Sequence, residues 1–99
     1  MAIRLEVQQL IDLGPFPASG EADEGDIDRR GALISSIKPP LTQEEAASLL
    51  VCFGPDEAFG LAWALLHLIE ATPGGIPIAK QPTPSDNEWI RRLWGRSHR

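Results

Sequence analysis

Three side chains near the middle of the sequence have the types and spacing of a small chemical site: Trp63, His67 and Glu70. On a helix, residues three and four apart share a face, so an imidazole and a carboxylate there can exchange a proton beside an indole wall. At 100° per residue Glu70 projects between Phe59 and Trp63 and beside Leu66, inside an apolar arc that also holds Leu61, Leu65 and Ile69. It also lies near the helix C-terminus, where the dipole disfavours an anion. A carboxylate so placed must find a donor or shift its pKa upward. One reading makes Glu70 an acid or base assisted by His67, in a site for a small ligand. The other, which is the expectation here, gives Glu70 a hydrogen bond from an arginine or a tryptophan N–H and a purely structural task.

Other chemistries lack their residues. His67 and Glu70 supply at most two metal ligands, no second His-containing pair exists, and His98 sits in the C-terminal tail, so neither a metal nor a cofactor is expected. The run Glu21-Ala-Asp-Glu-Gly-Asp-Ile-Asp28 has many carboxylates but not the ligand order of a calcium loop. Cys52 is the single cysteine, which excludes an internal disulfide, and no basic neighbour in sequence activates it. There is no nucleophile elbow and no phosphate-binding or dinucleotide-binding glycine loop. No catalytic residue is assigned, and the chain is expected not to be an enzyme.

Charge points to a different class of function. The net charge is −5 at pH 7, and Glu21, Asp23, Glu24, Asp26 and Asp28 crowd one segment while Arg91, Arg92, Arg96 and Arg99 crowd the C-terminus. The acidic segment suits a basic protein partner better than nucleic acid or an anionic membrane. The C-terminal combination of Trp89 and Trp94 with arginines has the composition of a single-stranded nucleic-acid site, but docking of the helix with Glu88 paired to Arg92 explains it more simply. Trp94 is then a candidate interface anchor.

The elements that must position these residues read as helices. Ile3, Val7, Leu10 and Ile11 recur at helical spacing, and Gly14-Pro15-Phe16-Pro17 ends that helix. Residues 14–25 read as an exposed acidic loop with too few apolar side chains to be ordered by packing. A second helix is expected from a cap at Asp26 to Lys38, burying Ile27, Leu33, Ile34 and Ile37, before Pro39-Pro40. Thr42-Gln-Glu-Glu45 is a capping box opening a third, with Ala46, Leu49, Leu50 and Phe53 as its apolar face. Gly54-Pro55-Asp56-Glu57 reads as the start of a central helix running to Glu70, with Pro73-Gly74-Gly75 as its stop. So short a connection would make residues 42–72 an antiparallel helical hairpin. A small-residue stripe of Gly60, Ala64, His67 and Ala71 would admit another helix closely, leaving the central helix covered on most sides. Residues 73–85 should run extended, and Ser85-Asp-Asn-Glu88 reads as a capping box opening a C-terminal helix over 86–97 that presents Trp89, Ile90, Leu93 and Trp94.

The block Phe53-Gly-Pro-Asp56, then Phe59-Gly-Leu-Ala-Trp-Ala-Leu-Leu-His-Leu-Ile-Glu70, with Trp89 beyond it, resembles short bacterial proteins of no assigned activity. The resemblance implies a bacterial source and a helical fold and carries no catalytic assignment.

The sequence therefore predicts one all-α domain over 1–99, a small bundle of four or five helices built on the 42–72 hairpin. With no signal peptide and no apolar run long enough to span a membrane, cytoplasm is the expected compartment. The expected function is binding of another, basic protein, in the manner of an acidic immunity protein or antitoxin that masks a toxin. A homodimer would cover any excess apolar helix surface.

Overall fold

The computed structural model describes residues 3–98. Five α-helices form, with no strand among the described residues: α1 (Leu5–Asp12), α2 (Glu24–Ser36), α3 (Gln43–Leu49), α4 (Leu61–Glu70) and α5 (Glu88–Ser97). Short 3₁₀ turns stand at Ser19–Glu21 and Leu50–Cys52. The all-α expectation holds. No described helix is long and apolar enough to cross a membrane.

The principal helix contacts run α3 to α1, α1 to α2, α2 to α4 and α4 to α5. Val7 and Leu10 of α1, Ile34 of α2, Leu49 of α3, Leu65, Leu66 and Ile69 of α4, and Trp89 and Leu93 of α5 meet in one core. The molecule measures 35 × 31 × 18 Å, and its thin dimension is two helix layers at roughly 10 Å each. A two-layer body leaves one side of each helix to solvent. Ala64, His67 and Ala71 are accordingly exposed, so the small-residue stripe of α4 faces water and receives no helix.

Four local expectations are corrected by specific hydrogen bonds. First, α4 starts at Leu61 because residues 53–60 are spent on a loop. Asp56 Oδ1 accepts the Ala58 N–H at 2.9 Å, and Ala58, Phe59 and Gly60 all take positive φ (48°, 55° and 90°), which no right-handed helix can contain. The link between α3 and α4 is thus a 3₁₀ turn and a loop, not a two-residue hinge. Second, residues 14–18 are ordered by packing: Phe16 is buried, its N–H donates to the Cys52 carbonyl at 2.9 Å, and a Cβ on Gly54 would stand 2.1 Å from the Phe16 carbonyl oxygen. Only glycine permits that approach.

Third, α2 begins one turn earlier than expected. Asp23 is the N-cap and accepts the Asp26 N–H, which releases the Asp26 carboxylate to pair with Arg30. Fourth, Asn87 and not Ser85 caps α5. Asn87 Oδ1 accepts the Trp89 N–H at 2.8 Å, while Ser85 belongs to a separate turn in which Asp86 holds the Thr83 N–H. The Thr42–Glu45 capping box of α3 forms as expected.

Candidate functional site

Arginine–carboxylate pairs organise the polar groups of this protein, and they decide which sequence candidates remain available. At the C-terminal end of α4, Glu70 receives Arg96 in a two-pronged pair, Nε to Oε2 at 2.6 Å and Nη2 to Oε1 at 3.0 Å, with the His67 ring nitrogen 3.4 Å from Oε1. Arg96 holds the Glu70 carboxyl below its ordinary value, with a smaller contribution from His67. An ionised carboxylate committed to a guanidinium is a poor proton donor. Phe59 is not part of the helix, so the projected wall on one side of Glu70 does not exist.

Trp63 is turned to a different purpose. Its ring meets Trp89 edge-on at 5.0 Å, Trp89 stacks on Phe53 at 6.4 Å, and the Arg92 guanidinium lies 5.4 Å from the Trp63 ring and 5.0 Å from the Trp89 ring. Arg92 is fixed there by Glu88, at 2.9 and 2.6 Å. The structure therefore brings Trp63, His67 and Glu70 to one edge of α4, but as part of the seam with α5. Of the candidate basic patch, Arg92 and Arg96 are tied to carboxylates and Arg91 donates to the Asp86 carbonyl at 3.1 Å. Trp94 is half-buried and stacks on His98 at 3.7 Å, away from the acidic segment in sequence and on a helix whose main partner is α4. Arg99 lies outside the described residues.

The acidic segment divides. Asp23 and Asp26 serve α2 itself, as cap and as partner of Arg30. Glu21, Glu24 and Asp28 are exposed and have no cationic partner among the described residues. Beside them a groove of about 300 Å³ is lined by Ala22, Glu24, Ile27 and Phe59. Phe59 is 66% exposed. The loop that carries Glu21 is anchored by Asp56, whose carboxylate accepts the Ser19 N–H at 2.9 Å and the Ser19 hydroxyl at 3.0 Å. Those bonds, with the Ala58 N–H, keep the Asp56 carboxyl below its ordinary value.

Sequence reading missed two buried charges. Glu45, 1% exposed, accepts the Arg4 N–H, Nε and Nη2 and the Thr42 N–H at 2.9–3.1 Å, so Arg4 draws its carboxyl down to about 2. Arg30, 5% exposed, donates to Asp26 at 2.8 Å and to the carbonyls of Leu13 and Gly14 at 2.9 and 2.8 Å, closing the C-terminus of α1 over the Phe16 ring. The Asp26–Arg30 spacing of four residues was the available signal for one; the Arg4–Glu45 pairing spans 41 residues and has none.

Burial pushes the Cys52 thiol up to about 11, as an inert core sulfhydryl requires. Among the described residues, no three His, Cys, Asp or Glu side chains converge as metal ligands. Comparison of the chain with protein-family models, with curated proteins and with solved structures found no match.

Proposed function

We propose that this chain is a non-catalytic protein-binding module whose partner presents a basic surface to the exposed acids of α2 and the loop before it. One observation carries the reading: four arginines are consumed by internal carboxylates, whereas Glu21, Glu24 and Asp28 face solvent unpaired among the described residues. With Asp26 neutralised by Arg30, the exposed Glu21, Asp23, Glu24 and Asp28 outnumber Arg29 and leave this segment net negative where a cationic partner can reach it. The same pairing weakens the nucleic-acid alternative, since Arg92 and Arg96 would have to leave Glu88 and Glu70 to reach phosphates. It likewise weakens the small-ligand or enzymatic use of Trp63, His67 and Glu70.

The test keeps the structural acids intact. A triple variant Glu21→Gln, Glu24→Gln, Asp28→Asn leaves Asp23 and Asp26 in place, so α2 retains its cap and Arg30 its partner. Wild type and variant are used as baits in lysate of the source cell after nuclease treatment, and the affinity of any captured protein is measured against salt. A basic protein retained by the wild type, with affinity that falls as salt rises and is lost in the variant, supports the proposal. Equal retention by both baits refutes it.

A further inference from the structure

We infer that the groove between Phe59 and the start of α2 seats an apolar side chain of a cationic amphipathic segment of the partner; this deepens the acidic-face reading and rests on it. Phe59 is an unusual residue to leave in solvent. Its φ of 55° follows Ala58 at 48°, a left-handed pair that L-residues adopt at a cost, and with 66% of its surface exposed Phe59 recovers little of that cost by burial within this chain. Ala58 beside it is fully buried and pins the turn. The phenyl ring, half-buried Ile27 and Ala22 form three apolar walls of the groove, and Glu24 stands at its rim.

The charge around the groove selects the occupant. Glu21, Glu24 and Asp28 are unpaired, Asp23 caps the helix, and Arg29 is the only exposed cation of α2; the half charge of the helix N-terminus does not offset them. An apolar side chain flanked by lysines or arginines satisfies both the walls and the rim, as an amphipathic helix does when it lays its apolar face in a groove. A second copy of this chain fits less well. Two-fold pairing of the patch would set Glu24 against Glu24, and of the α5 arginines that could answer it Arg92 and Arg96 are held by Glu88 and Glu70, which leaves Arg91, donating to the Asp86 carbonyl, as the one without a carboxylate partner among the described residues.

The experiment compares two peptide probes on the full chain. One carries leucines at i, i+3, i+4 and i+7 among lysines; the other has the same lysines with serine in place of leucine. The variant is Phe59→Asn, because asparagine accepts the left-handed conformation and the fold is kept. Wild type should bind the leucine probe about tenfold more tightly than the serine probe, and Phe59→Asn should abolish that difference while its melting temperature stays level or rises. Equal binding of both probes by the wild type overturns the groove proposal and leaves the acidic-face reading standing. Tighter leucine-probe binding that survives Phe59→Asn also overturns it. Failure of both probes to bind overturns both readings, and self-association of the wild type that Phe59→Asn removes assigns the groove to a second copy instead.

Discussion

Both ends of the protein join helices through an arginine and a glutamate, yet the two joints differ in kind. In the N-terminal region one member of each pair is buried: Glu45 is sealed beneath Arg4 and Arg30 beneath the turn that follows α1, while Arg4 and Asp26 keep 36% and 31% of their side chains exposed, and the remaining hydrogen-bonding capacity of Glu45, Arg4 and Arg30 goes to backbone groups of the neighbouring segments. In the C-terminal region the work is done by aromatic rings, and the Glu70–Arg96 pair, with side chains 30% and 31% exposed, sits at the edge of that packing. The same ion pair is therefore a structural keystone in one place and a surface clasp in the other. Solvent makes the difference: a buried carboxylate with every lone pair taken cannot lose its partner cheaply, whereas an exposed one exchanges a guanidinium for water.

The comparison can be broken by substitution. The largest loss should come from the aromatic seam: Trp89→Ala empties a fully packed site between Phe53 and Trp63 and should cost about 4 kcal/mol in denaturant unfolding. Arg30→Met keeps the volume but leaves the Leu13 and Gly14 carbonyls without their donor, for a loss of about 3 kcal/mol. Glu45→Gln should cost about 2–3 kcal/mol at neutral pH. Because Glu45 has its pKa lowered from 4.5 to about 2, the stability it confers is complete above the unfolded value and is lost as pH falls from there through the folded one. Urea midpoints of wild type and Glu45→Gln should therefore converge on acidification toward pH 2. Glu70→Gln is the smallest, under about 1 kcal/mol. If Glu70→Gln matched Glu45→Gln, the distinction drawn from exposure would be wrong.

Much of the helical content was legible because local signals suffice for it. The Thr42–Glu45 capping box, the apolar spacing of α1 and the Pro73 stop all act within a turn or two of themselves. What failed was local signal that the tertiary structure spends elsewhere. Gly54-Pro55-Asp56 has the composition of a helix start, but Gly54 is pressed against Phe16 and Asp56 binds Ser19, so the helix waits for Leu61. Ser85-Asp-Asn-Glu88 matches the capping pattern, yet Asn87 also reaches the Phe53 and Gly54 carbonyls and takes the cap. For the candidate site, the crowding of acids was visible, but their division into Asp23 and Asp26 for the fold and Glu21, Glu24 and Asp28 for solvent was not. Phe59 reads in sequence as part of a helix face because nothing in its own neighbourhood announces the left-handed turn it adopts.

Asp56 joins two stretches of chain that are far apart in sequence. One carboxylate holds Ser19, two residues before Glu21, and Ala58, immediately before Phe59. The acidic loop and the aromatic turn are thereby latched to one point, so that neither can swing independently of the other. On the proposal made above, a partner would find the charge and the apolar ring of this surface already in register and would spend little of its binding energy on ordering them.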